Sequence, residues 1–227
     1  YDFGARWMDP TVGGRFTTMD PLAEKYPGIS PYAYCGGDPI NLVDPSGRTV
    51  KVYYQNSKGE SFVYNFNGKT KKHEDPFVQD FINTYWFFKE TGGGDNVIHA
   101  VEDKNTTIYL VNADDEDDQG TEFKVIGGEL FVYWESRKGL LLSNGGKQSA
   151  ATRLEHEFDH ANDSKNNPKQ HRERRERNNT QYENEEERRV IQGSETRTAK
   201  KHHEGIRFDH RGKTYETEDP TTTRKKR

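Results

Sequence analysis

The chain is short of apolar residues: of 227, only 30% are hydrophobic, while 32% are charged. That ratio leaves too little apolar surface to bury every segment, so part of the chain is expected outside a packed core. A single cysteine, Cys35, excludes an internal disulfide framework and any metal site built from several thiolates. No apolar run approaches the ~18 residues that a membrane-spanning helix needs, so no span is expected. No signal peptide opens the chain, which starts at Tyr1 rather than methionine. A longer polypeptide upstream is the expectation, and the missing leader says nothing of destination.

Charge is scarce in net but uneven. The total is −4, yet Tyr1 to Asp163 holds 16 basic and 26 acidic residues, and Ser164 to Arg227 holds 18 and 12. A basic tail suits nucleic acid or an anionic surface. The stretch HRERRERNN (residues 171–179) interleaves no aromatic rings among its arginines, so it offers bases nothing to stack on. It reads instead as a solvated, mixed-charge helix, and nucleic acid is not the expected partner.

What the chain does have is LEHEFDHAND, residues 154–163, which contains H-E-x-x-H as His156, Glu157 and His160. Two histidines four apart stand on one helix face and can reach a single metal ion. Neutral imidazole suits Zn²⁺, and catalytic zinc takes three protein ligands and a water. Glu157, beside the first ligand, is placed to take a proton from that water. Ala151, Leu154, Phe158 and Ala161 share one helical stripe, with His156, His160 and Asp163 nearly opposite. Ser149 is the expected N-cap. The pattern predicts the active helix of a zinc hydrolase, with a peptidase the leading expectation.

The third ligand is expected beyond the loop-like DSKNNPKQ (163–170). Residues 182–193, YENEEERRVIQG, read as a helix anchored by Val190 and Ile191, with Glu186 and Glu187 four residues before those anchors. Residue type alone leaves both open.

The fold expected around this helix is α+β. TVKVYY and SFVYNF, joined by NSKGE, read as a hairpin. Residues 75–90 begin with an Asp75 N-cap and Pro76, then place Phe77, Phe81, Ile82, Tyr85 and Phe88 at helical spacing. Gly92 to Gly94 close that helix and, lacking a following lysine, read as a linker. NVIHAVE, TTIYLVN, TEFKVI and GELFVYW read as four strands, and Asp114 to Asp118 as a solvated acidic loop. GELFVYW or GLLLS is expected at the lip of the cleft, where an exposed edge can pair with an extended peptide. The end, Asp219 to Arg227, lacks an apolar anchor and is expected to fray.

The first 48 residues are dense in Asp-Pro and Gly-Gly turns between short aromatic pieces. YDFGAR (1–6), Asp9-Pro10, GRFTTMDPL (14–22) and YAYCGGDPINLVDPSG (32–47) resemble the end of the Rhs repeat-associated core domain. The resemblance implies a β-shell upstream and a variable toxin domain after DPSG. Asp38 and Asp44 correspond to the paired aspartates with which some members cut themselves, although here Arg48 follows Gly47. LEHEFDHA, EERRVIQGSE and GIRFDHRGK together resemble the zincin-like peptidase toxins found behind such cores. That likeness implies an α+β zincin fold with a mixed or antiparallel sheet. It also favours Glu187, in Glu-x-x-Val, as third ligand, with Glu186 as fallback. Asp163 or Glu195 is expected to orient a ligand histidine, and Tyr182, Arg207 or His210 to stabilise an oxyanion.

The expected division is 1–48 core tail, 49–218 metallopeptidase, and 219–227 disordered tail. The expected function is that of a secreted toxin, delivered into a target cell and hydrolysing its proteins with one zinc ion. The upstream Rhs shell and a cognate immunity protein are its expected partners. The rivals are a nuclease toxin, suggested by His202-His203, Asp209-His210 and the basic tail, and a non-catalytic shell or binding protein.

Overall fold

A computed structural model describes residues 50–55, 59–103, 105–115 and 120–226, with two short paired strands, β1 (Met8–Asp9) and β2 (Arg15–Phe16). The remainder of the first segment, including Asp38 and Asp44, lies outside the described residues. So do most of the NSKGE connection and most of the acidic 114–118 run.

The described fold is α+β around a mixed five-stranded sheet. Its strands are β3 (Val50–Gln55), β4 (Ser61–Phe66), β5 (Ile108–Asn112), β6 (Glu122–Ile126) and β7 (Glu129–Trp134). The order is β4-β3-β5-β7-β6, with β3, β5 and β7 parallel and both edge strands antiparallel to their neighbours. Alternation along the strands sends Val52, Leu110 and Val132, aligned across the register, to one face. There they meet three helices, α1 (Pro76–Thr91), α2 (Asp95–Glu102) and α3 (Ala150–Asn166). Phe81 and Phe88 of α1, Val97 of α2, and Leu154 and Phe158 of α3 are fully buried in this layer.

The helix starts follow capping chemistry. The Asp75 carboxylate accepts from Val78 N at 3.0 Å at the head of α1, and the Ser149 hydroxyl accepts from Thr152 N at 3.2 Å at the head of α3. Gly92, at φ 79°, ends α1 in the left-handed region, where glycine carries no steric cost.

Several sequence expectations are corrected. NVIHAVE is the helix α2, because Val97, Ala100 and Val101 repeat at helical spacing and turn inward together. The β-branched residues suggested a strand, but tertiary packing decided otherwise. DSKNNPKQ is mostly helical, since α3 runs to Asn166 and α4 (Pro168–Glu176) starts on the next proline. GLLLS falls in β8 (Lys138–Leu142), which leaves the main sheet and lies between β9 (Lys147–Gln148) and β12 (Gly212–Glu216). The edge strand beside α3 is therefore β6, neither of the two expected at the lip.

Residues 182–184 precede the helix. Glu183–Asn184 form β11, paired with β10 (Asn178–Asn179), and α5 spans Glu185–Val190. The chain then widens into a π-helical turn, Ile191–Glu195, before α6 (Thr196–Lys201). The last segment is held rather than frayed. Pro220 O accepts from Ala151 N at 2.8 Å, and Thr217 bridges to Lys225. The first turn of α3 leaves N–H groups unpaired, and that carbonyl satisfies one of them.

Candidate metal centre

Helix α3 is buried on both sides. One face carries Leu154 and Phe158 into the sheet layer, and the other carries His156 and His160, 4% and 5% exposed, under α5 and the π turn. The expected opposition of apolar stripe and histidines is present, but the histidines face a second polar layer.

Each imidazole is fixed by a carboxylate at Nδ1. His156 Nδ1 lies 2.7 Å from Glu195 Oε2, and His160 Nδ1 lies 3.1 Å from Glu186 Oε1. Donation from Nδ1 leaves the Nε2 lone pairs free. These two Nε2 atoms are 3.0 Å apart. Glu187 completes the group, with Oε2 3.1 Å from His156 Nε2 and Oε1 3.2 Å from His160 Nε2. The three residues place ligand atoms within 4.8 Å of one another. Lone pairs facing lone pairs repel unless a proton or a cation sits between them. The donor set, two imidazoles and one carboxylate, suits zinc.

Proton affinities carry the same imprint. Burial alone would lower His156, but Glu157, Glu187 and Glu195 outweigh it and raise the imidazole well above its ordinary value. For His160, burial is likewise overcome, by Glu186 and Glu187. Glu187 is drawn far below the ordinary carboxylate range, because its hydrogen bonds to His156, His160 and His210 overcome desolvation.

Glu157 is half-buried on the same helix and has no hydrogen-bond partner among the described residues. Burial raises its carboxyl, and the neighbouring histidines only partly offset this. A carboxylate left without a protein partner beside the ligand atoms is available to a water.

The layer behind the ligands is built from the second half of the sequence. Glu195 also accepts from Gln148 Nε2 at 2.8 Å and from Arg207 at 3.1 Å. It closes the Ile191–Glu195 turn, where the backbone kinks at Gly193. Glu186, fully buried, accepts from His171 at 3.2 Å, from Arg189 at 2.7 Å and from Arg174. It therefore supports His160, while Glu187 faces both ligand histidines. His160, His171 and Glu186 form a second close group. Arg174 and Arg189 already neutralise that carboxylate, which makes the group a poor cation site.

The remaining candidates separate. Asp163 contacts neither ligand histidine; its partners are Asn167, His171, Arg174 and, at 4.0 Å, Arg189. Tyr182 is buried, with its hydroxyl accepting from Gln192. Arg207 is committed to Glu195. His210 is 38% exposed and lies at the site, with Nε2 3.3 Å from Glu187 Oε2 and Nδ1 3.0 Å from Glu183. Of the residues behind the nuclease alternative, His202 packs on Phe87, and Asp209 binds Arg211 and Ser143.

Sequence reasoning missed His171, Arg174 and Arg189, and also Phe123, whose ring stacks on His160 at 6.5 Å. His171 and Arg174 are one turn apart on α4, but the high charge around them hid that inward face.

Comparison with known proteins adds little. No family model matches the chain, and no solved structure matches it. A salivary gland surface protein 1 from Aedes aegypti is 46% identical over 48 residues, which are 21% of this chain and 1% of that protein. Among the described residues no helix is long and apolar enough to cross a membrane.

Proposed function

We propose that the chain is a zinc-dependent peptidase with a zincin-like fold, the toxin domain of an Rhs-type polypeptide. His156, His160 and Glu187 would hold the ion. The observation that carries this reading is the convergence of their lone pairs beside Glu157, a carboxylate with no partner of its own among the described residues. When bound, zinc supplies Lewis acidity toward a carbonyl and a water.

The chain's own groups do the rest. Glu157 accepts the proton of the attacking water and passes it to the leaving amine. Glu195 and Glu186 keep the two imidazoles turned with Nε2 toward each other and Glu187, the atoms that would hold the ion. His210, half-exposed beside Glu187, is the candidate for contact with a developing oxyanion, since Arg207 is held by Glu195 and no contact ties the buried Tyr182 to His156, His160 or Glu187 among the described residues. The edge strand β6, next to α3, offers backbone groups to an extended peptide.

The sequence resemblance supports the wider setting. That setting is an upstream Rhs shell, a cognate immunity protein, and protein substrates in the cell into which the toxin is delivered. The test is Glu157→Gln. Cleavage of an unstructured protein such as casein should be lost while zinc content stays at the wild-type level. Full activity in that variant would remove Glu157 from the mechanism.

A further inference from the structure

Where the end of α4 meets α5 and the turn after it lies an open groove of about 700 Å³ lined by Arg174, Arg177, Arg188, Arg189, Glu185 and Gln192, among others. Four guanidiniums face one carboxylate there. That volume falls within the range of small-molecule sites.

Three of the four arginines are held in place. Arg174 is anchored through Nε and one terminal nitrogen to Glu186 and Asp163. Arg189 is anchored through Nε and the corresponding nitrogen to Glu186 and Asp159. A guanidinium has three nitrogens and five N–H groups, so each keeps a terminal nitrogen unbonded. Their side chains are 25% and 31% exposed. Arg188 pairs with Glu185 at 2.8 Å on one edge and is 49% exposed. Arg177 is exposed and has no ion pair among the described residues. Arg174 and Arg189 are therefore positioned before any ligand arrives, which lowers the ordering cost of binding at those two forks.

We infer that this groove binds a small molecule carrying phosphate groups. Phosphate oxygens match the planar guanidinium fork, and two linked phosphates can engage Arg177 and Arg188 while reaching the outward nitrogens of Arg174 and Arg189. Nothing in this assignment requires the peptidase reading, because the groove residues are not the proposed ligands.

The test uses the full chain in metal-free buffer, with inorganic pyrophosphate as probe and sodium chloride fixing the ionic strength. Calorimetric titration should give one saturable site with Kd below about 1 mM. Arg177→Gln and Arg188→Gln should each weaken it roughly tenfold, the scale of one charge-assisted hydrogen bond. Lys213→Gln, an exposed lysine on β12, should leave it unchanged. Circular dichroism of each variant separates lost binding from lost fold, and a folded Arg177→Gln chain with wild-type affinity would overturn the inference. So would absence of saturation by wild type, equal losses in all three variants, or a DNA duplex binding far more tightly than pyrophosphate.

Discussion

Replacing Glu186 and Glu187 separately by glutamine divides stability from metal binding. Glu186 is fully buried and takes hydrogen bonds from His160, His171, Arg174 and Arg189. Glutamine keeps one acceptor oxygen but turns an amide N–H₂ toward a guanidinium, and it removes the charge balancing two arginines. Breaking a fully buried pair costs ~3–5 kcal/mol. Here Arg174 and Arg189 are partly exposed and retain Asp163 and Asp159, so the expected cost is about 2–3 kcal/mol. For a chain of this size that lowers Tm by roughly 5–10 °C. Zinc affinity should fall only about tenfold, because His160 loses its support but keeps its Nε2 lone pair. Glu187→Gln should show a smaller change in Tm, because no guanidinium depends on that carboxylate, and a zinc affinity lowered by more than about 100-fold, since one of three ligands is lost. Thermal melts of the metal-free proteins and competition against a chelator measure both quantities. Equal effects of the two substitutions on zinc would refute the separation into ligand and support.

Two further outcomes concern the stability of the metal-free fold. Glu186 and Glu195 both have carboxyls lowered from the ordinary value of 4.5. Their contribution is present above that value and is lost as pH falls below it, so acid unfolding of the metal-free protein should begin under about pH 4.5; a Tm that stays flat into stronger acid would contradict this. Gly94→Ala would place a methyl 2.0 Å from Cγ of the buried Phe88, at the joint between α1 and α2. That overpacking should cost about 3 kcal/mol and lower Tm by roughly 6–12 °C, whereas Gly120→Ala, with open space around it, should change little.

The sequence made the centre legible because its chemistry is local. His156, Glu157 and His160 are fixed by helical spacing alone, and the Asp75 and Ser149 caps by the residues that follow them. The proposed third ligand was legible as a choice between two glutamates, and their partners differ: Glu187 faces His156 and His160, while Glu186 pairs with Arg174 and Arg189. Glu195 was named without a means of ranking it, since the π turn that carries it has no simple sequence signature. The layer behind His160 stayed hidden because His171, Arg174 and Arg189 sit in charge-rich stretches whose average character is solvated. Helix α2 was misread because three of its residues are β-branched and a strand of that composition is equally plausible locally.

Metal analysis by mass spectrometry of the purified chain beside His156→Ala and His160→Ala decides whether these residues hold zinc. One zinc per wild-type chain is expected, and less than about a tenth of that in either variant, each still folded by circular dichroism. A folded wild-type chain that takes up no zinc after incubation and desalting, or variants that retain it in full, would refute a zinc site at His156 and His160.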